Sequence, residues 1–449
     1  MPNIRILSVE EAKATVLSRP PFDEVEASPQ AQARLAELFG APLTPEQAVA
    51  RIIADVRANG DDALLAWTFR LDGVELDSPV VSQEQIERSW ENTPRELRQA
   101  LTVAADRIRA FHEKERHSSW MDWQGDEALG QIVRPLERVG IYVPGGQGAY
   151  PSTLLMAAIP AQVAGVAEIC VASPPARGRE IPTDVMLAAA RIAGVTRVFS
   201  VGGAQGVAAL AYGTESVPRV DKILGPGGLF VVLAMRQVFG SVGIAGLPGP
   251  TETLLIADDS ADPAWVAADL LAQAEHDVLA SALLLTTSRD LAASVRREVA
   301  DQLAGLPRRE IIAGSLERGS GIVLVRDMEE AMALANAYAP EHLCLLTEDP
   351  WTLVGQVRNA GGVFVGETAC EALGDYVVGP SHIMPTGQTA RFGSPVHVRD
   401  FLKVTSVFSV GRRALQETGP QAAAIAEAEG FHAHAASIRR RLTTGLTRQ

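Results

Sequence analysis

Cysteine is scarce in this 449-residue chain: Cys170, Cys344 and Cys370 are the only three, far apart in sequence. So few scattered thiols exclude a disulfide framework and a thiolate zinc site, and they fit a reducing cytoplasm. Basic residues are outnumbered, 40 Lys and Arg against 54 Asp and Glu, for a formal charge of −14. Nucleic-acid binders need clustered cations to displace counterions, so no such partner is expected. The one dense basic run, Arg439-Arg440-Arg441, reads as a helix end that favours the macrodipole. The opening MPNIRILSVEEAK carries charge from residue five and has no apolar signal core, so no export is expected. Charge is missing from Val139 to Ala167, a length that suggests a membrane span. Pro144, Gly145, Gly146, Gly148, Pro151 and Pro160 divide that stretch into strand, turn and helix, and no membrane partner is expected.

What is present is a globular balance, 47% apolar and 21% charged, in a chain long enough for two or three domains. Up to about residue 130 the pattern is mainly helical. PLTPEQAVARIIADVRANG has apolar residues at helical spacing and stops at Gly60, and ELRQALTVAADRIRAFHEKE is a second amphipathic helix. His112 and His117 lie among its terminal charges and read as solvated. After Leu136 short apolar strands alternate with helices: RVGIYV, EICVAS, RVFSVG and VDKILG, then from Thr251 TLLIAD, SALLLTT, GIVLVRD, HLCLLT and GGVFVG. This predicts an α/β fold of two Rossmann-like units with parallel sheets, a helical N-terminal region, and an extended and helical C-terminal arm from about Val396. Ligands of open α/β sheets sit beyond the carboxyl ends of the strands.

Three glycine turns follow strands: Gly145-Gly146-Gln147-Gly148, Gly202-Gly203 and Gly225-Pro226-Gly227-Gly228. Each lets bare backbone approach a phosphate at a helix N-terminus, although none completes GxGxxG with a downstream acid, so the dinucleotide-binding pattern is incomplete. Taken singly they are tight βα turns; in succession they suggest a nucleotide cleft. Gln273 and His276 lie three apart on a helix that Asp262 caps and Pro263 opens, so both can converge on a metal. Glu341-His342 at a strand entrance suits acid–base work near neutral pH. Asp375 and His382 lie close together in a glycine-bordered loop. Glu429, His432 and His434 stand where Gly430 interrupts a helix, and spacing alone does not choose between the two histidines. Together these give an oxygen and nitrogen set suited to Zn²⁺.

Several long segments in this order resemble the histidinol dehydrogenase family over nearly the whole chain: RVGIYVPGG…AYPSTLLMAAIPAQVAGV, GGAQGVAALAYGT, VPRVDKILGPG, GPTETLLIADDSADPAWVAADLLAQAEHD, AYAPEHL, EALGDYVVGPSHIMPT and AEGFHAHA. The resemblance implies one zinc per subunit held by Gln273, His276, Asp375 and His434. It makes Glu341 and His342 the acid–base pair and places Thr251, His382 and Glu429 with the metal ligands and His342 around the substrate. Tyr142 and Gln205 match positions that contact NAD; Gly228 stands where an Asn usually does. Ala245, Gly148 and Ser381 depart from the usual Asp, Ala and Asn, and Thr251 replaces Ser while keeping the hydroxyl.

The implied organisation is an N-terminal arm over 1–24, a first α/β domain from 25–130 with 251–395 carrying the metal and acid–base residues, and a nucleotide-binding α/β domain over 131–250. A dimerisation arm over 396–449 follows, exchanged in a homodimer so that Glu429 and His434 serve the partner's site. The implied reaction is the NAD-linked oxidation of a small amino alcohol, L-histidinol, to L-histidine through the aldehyde, in cytoplasmic histidine biosynthesis. A related enzyme of the same fold acting on another polar alcohol, such as a sulfonated diol, is the rival. A sulfonate would want an added Arg or Lys, whereas Glu341, His382 and Glu429 suit a cationic imidazole. A non-catalytic nucleotide-binding protein is a third reading, prompted by Gly228, and the intact acid–base and metal sets oppose it.

Overall fold

The computed structural model describes residues 4–19, 29–145 and 148–444. Gly146 and Gln147 of the first glycine turn, and residues 1–3 and 20–24 of the expected arm over 1–24, lie outside these. The chain forms two compact units, one from Met1–Glu115 and Leu136–Phe401, the other from Arg116–Pro135 and Leu402–Gln449.

Strands are numbered in chain order: β1 (Ile6–Ser8), β2 (Val80–Val81), β3 (Trp120–Gln124), β4 (Glu127–Pro135) and β5 (Arg138–Tyr142). Next come β6 (Glu168–Ser173), β7 (Arg197–Ser200), β8 (Lys222–Leu224), β9 (Gly243–Ile244) and β10 (Glu252–Ala257). The last are β11 (Ser281–Thr286), β12 (Gly321–Leu324), β13 (His342–Leu346), β14 (Gly362–Val365) and β15 (Leu402–Val410).

The first unit holds two sheets, ordered β2-β7-β6-β5-β8-β9 and β1-β12-β11-β10-β13-β14. All pairs are parallel except β2 with β7. Without β2 and β1, each sheet has the doubly wound order 3-2-1-4-5, and the winding reverses between its first and fourth strands. The charge-free stretch becomes β5, a turn and the helix Pro151–Ala164, in which every residue from Thr153 to Ala161 is buried. A helix apolar on all sides is an interior element, and among the described residues no helix is long and apolar enough to cross a membrane. Successive residues of the inner strands serve different cores: in β6 Ile169 and Val171 face one, Cys170 and Ala172 the other, and in β10 Leu255 and Leu254 divide likewise.

Several expectations change. Residues 25–130 do not join 251–395 in one layer. Helix Pro45–Asp72 packs Val49, Ile52 and Leu64 with Phe199 of the first sheet, and helix Arg95–His112 packs Leu101 and Ile108 against Leu154. Their apolar stripes predict burial but do not name the face that receives them. Conversely β1, from the expected arm, pairs with β12. His112, read as solvated, is fully buried with its Nδ1 2.8 Å from Glu115. Gly60 does break its helix, with φ +54, but the helix resumes beyond the kink.

The second unit holds the antiparallel sheet β15-β4-β3 and the helices Arg412–Ala428 and His432–Thr444. Residues 120–135, read as part of a helical region, form the hairpin β3–β4. Its two-residue turn opens on Gly125 at φ +64, the left-handed conformation such turns demand of their first central residue. The expected arm boundary at 396 moves to 402, because Val396, Val398 and Phe401 are core residues of the first unit. Trp120, Trp123, Leu129, Val404 and Phe408 leave this small sheet exposed, Trp123 at 71% and Phe408 at 76%.

Candidate active site

The described glycines of the expected turns follow β5, β7 and β8 at the carboxyl rim of the first sheet, as that architecture requires. Gly225 makes the closest approach: at φ +123, a side chain there would meet the Tyr142 carbonyl oxygen at 2.0 Å. That draws the turn after β8 against the end of β5. Tyr142 is buried, its hydroxyl accepts from the Gly203 N–H at 3.2 Å, and burial pushes its pKa up to about 12. Gln205 is completely buried, and neither its Oε1 nor its Nε2 has a partner among the described residues. A buried amide with both ends unpaired costs several kcal/mol unless something else bonds it, by roughly 1–3 kcal/mol per group. Gly228 caps helix Leu229–Val238 at φ −67, exposed and with open space around its α-carbon.

The acid–base residues break the carboxyl-rim expectation, since they occupy the amino rim of the second sheet. Helix Met328–Tyr338 ends in Ala339, held left-handed at φ 52 and ψ 63, and Pro340 then delivers Glu341 and His342 to the start of β13. Both are buried. Glu341 Oε2 accepts from the Thr251 hydroxyl at 2.5 Å and from the Glu252 N–H at 3.1 Å. Burial nevertheless holds its carboxyl well above the usual range. Burial also pushes His342 down to about 4, with Asp375 opposing. A ring neutral at pH 7 can act as a base, and its Nε2 is buried without a partner.

Around this pair the structure gathers the other candidates of the first unit. Asp262 caps helix Pro263–Ala274 as expected, and at the far end Gln273 is fully buried while His276, beyond the cap, is exposed. Thr251 has one proton, which goes to Glu341, and Gln273 Nε2 donates to the same Thr251 oxygen at 3.1 Å. Gln273 Oε1 therefore keeps its lone pairs. The surrounding protein and His342 hold His276 below its ordinary pKa, in the neutral form that ligates metals. Asp375 lies in the short helix Glu371–Tyr376 and is pushed to about 7, chiefly by burial.

His382 Nδ1 must donate to the Asp375 carbonyl oxygen at 2.7 Å, so in the neutral ring Nε2 accepts from Thr153 at 3.2 Å. That last bond joins the carboxyl rim of the first sheet to the amino rim of the second. The two rims form one site.

Glu429 and His434 belong to the second unit, where both are exposed at the Gly430 break between its helices. His434 stacks at 5.3 Å on Phe431. Among the described residues no group of three or more His, Cys, Asp and Glu is arranged to hold a metal. The first unit offers two such ligands, His276 and Asp375, beside the Gln273 amide.

Sequence reasoning missed Thr153, Thr253 and Glu371. Thr253 Oγ1 is 3.2 Å from His342 Nδ1 and donates to Glu371, whose other oxygen is 3.4 Å from the same nitrogen. Glu371 opens the segment EALGDYVVGPSHIMPT, so it sat within a quoted motif without a role. It also missed Glu252, buried at the start of β10 and paired with Arg19 at 2.6 Å.

The family model described as histidinol dehydrogenase matches residues 43–442. A histidinol dehydrogenase of Deinococcus radiodurans is 52% identical over 98% of this chain and 100% of its own. One from Thermus thermophilus is 50% identical over 88% and 94%. The crystal structure of histidinol dehydrogenase from Elizabethkingia anophelis superposes with a TM-score of 0.89 at 32% identity, covering 99% of both chains. A mixed α/β architecture with mainly parallel sheets, a site set across two strand rims, and likeness along nearly the entire length agree: the chain belongs to the histidinol dehydrogenase family.

Proposed function

We propose that this chain oxidises L-histidinol to L-histidine through the aldehyde, passing one hydride to NAD in each of two steps of histidine biosynthesis. The observation that carries the reading is the buried Glu341–His342 pair with His342 Nε2 unpartnered, at the rim facing the glycine turns. In the first oxidation His342 Nε2 takes the alcohol proton as hydride leaves carbon for the nicotinamide. In the second, Glu341 takes a proton from the water that adds to the aldehyde, and hydride leaves the hydrate carbon. A carboxylate whose pKa burial has raised is the stronger base once ionised. His382 and Glu429 hold the substrate imidazole, with His382 Nε2 exchanging its Thr153 bond for the ring N–H. Tyr142, Gln205 and the backbone at Gly228 face NAD, and the unpaired Gln205 amide supports a ligand there.

The donor set suits Zn²⁺: a free amide oxygen on Gln273, a neutral imidazole on His276, a carboxylate on Asp375, and His434 as the fourth ligand. When bound, the ion would act as a template that orients the amino and imidazole nitrogens of the substrate. His434 and Glu429 come from the exchanged arm of a homodimer, a reading supported by the apolar residues exposed on the small sheet of the second unit. Three unpaired cysteines support a cytoplasmic setting.

Zinc-loaded protein incubated with limiting L-histidinol and excess NAD should yield two NADH per histidinol. A sulfonated diol run in parallel should give none. Turnover of the diol alone, or no turnover of either by protein with bound zinc, would overturn the reading.

A further inference from the structure

We propose that Glu371 is the positioning residue of His342: with the Thr253 hydroxyl it holds the imidazole proton on Nδ1, presents Nε2 as the base, and stabilises the imidazolium that forms when Nε2 takes the substrate proton. The inference rests on His342 being the base of the reaction proposed above.

The argument is one of proton inventory. Thr253 on β10 stands directly across from His342 on β13 in the strand register. A threonine hydroxyl has one proton, and here it is given to Glu371 Oε2. Thr253 Oγ1 can then only accept from His342 Nδ1, 3.2 Å away. Glu371 Oε1, 3.4 Å from that nitrogen, is a second acceptor on the same side of the ring. Glu341 is also near, at 4.0 Å, but its Oε2 is already engaged by Thr251 and by the Glu252 N–H. The Phe364 ring lies 5.8 Å from the imidazole, edge-on, and limits its rotation. Nε2, with no partner among the described residues, is left for substrate. A carboxylate that fixes the tautomer of a catalytic histidine and answers its developing charge is a recurring device.

Further charged and titratable groups act on His342 and set the background of any pH effect. Asp375, from the same short helix as Glu371, favours the charged ring. His276, beyond helix Pro263–Ala274, and His382, from the loop after the short helix, interact with it electrostatically. Glu371 itself is fully enclosed and pushed to about 7 by burial, with the Thr253 bond opposing.

The sign of the kinetic effect follows. Ionised Glu371, within 3.4 Å of Nδ1, offsets the positive charge that the ring acquires as Nε2 takes the substrate proton, so removing that carboxylate slows proton transfer. In zinc-loaded holoenzyme, Glu371→Gln should cut kcat about 10- to 100-fold while KM for histidinol changes less than about threefold. Glu371→Asp should recover part of the rate, and Thr253→Val, which leaves the carboxylate in place, should cost less than Glu371→Gln. Thr253→Val also guards against a folding defect in the glutamine variant. An E371Q enzyme with unchanged kcat would overturn the proposal.

A substrate-free measurement separates this idea from the assigned reaction. In ¹⁵N-histidine-labelled protein, with His342 identified by its loss in His342→Gln, the wild type should carry the proton on Nδ1 and E371Q should lose that preference. A proton on Nε2 in the wild type would mean the relay runs in reverse, from Glu371 to the ring, and would also overturn it. Failure of histidinol turnover with the Nδ1 tautomer intact would instead fault only the proposed substrate.

Discussion

Gly228 is a residue at which the proposed NAD site departs from the pattern that the family resemblance implies, and its surroundings are permissive. The backbone sits at an ordinary φ of −67, and nothing lies within 4 Å of an added β-carbon. Asn is also a good N-cap, so Gly228→Asn should fold without strain. Restoring one side-chain hydrogen bond should lower KM for NAD about three- to tenfold, with kcat nearly unchanged. Initial rates over a range of NAD concentrations decide it; an unchanged KM would mean that backbone already does the work. At this scale the sequence was informative where residue type alone implies chemistry. Gln273, His276, Glu341, His342, Asp375 and His382 do converge at one site. It was silent on Thr253 and Glu371, whose roles depend on strand register and on a helix 118 residues away from the threonine. A buried threonine looks like any strand residue until its partner across the sheet is known.

Among the elements, the turn from helix Met328–Tyr338 into β13 bears most directly on chemistry. Ala339 is one of two non-glycine residues at positive φ among those described, immediately before Pro340 and the acid–base pair. The left-handed conformation costs an alanine about 1–2 kcal/mol. Glycine would remove that cost while adding about 0.5–1 kcal/mol of backbone entropy. Ala339→Gly should therefore stabilise the fold by about 0.5–1 kcal/mol, read by denaturant midpoint, and leave kcat unchanged. A drop in kcat with a rise in stability would show that the alanine confines the direction in which Glu341 and His342 enter the site. Strand and helix alternation was legible here because buried parallel strands read as continuous apolar runs. β3 was not, since all five of its residues are exposed and no burial pattern marks them. Only the Gly125-Asp126 pair signalled the hairpin.

For the whole molecule, the proposed exchange of arms assigns Glu429 and His434 to the partner's site, and that assignment is testable. Mixing two inactive variants tests it. In a hybrid of His434→Ala and His342→Ala chains, exchanged arms put both defects in one site and leave the other intact. Random reassortment should then restore about a quarter of wild-type activity, because half the dimers are hybrids with one good site. No recovery after demonstrated subunit exchange would mean that each arm serves its own chain. The length and alternating pattern foretold two α/β layers, but not that helices Pro45–Asp72 and Arg95–His112 cover the first sheet while β1 extends the second. An amphipathic stripe records how much apolar surface needs covering and leaves the choice of surface to long-range packing.

Two sheets of the same strand order meet through opposite rims, one by its carboxyl ends and the other by its amino ends. On the proposed reading, cofactor contacts sit on loops that follow one set of strands, while proton transfer sits on residues that precede another. The two can drift apart over evolutionary time. A descendant could change its redox partner by rewriting the turns after β5, β7 and β8, and inherit the acid–base chemistry intact.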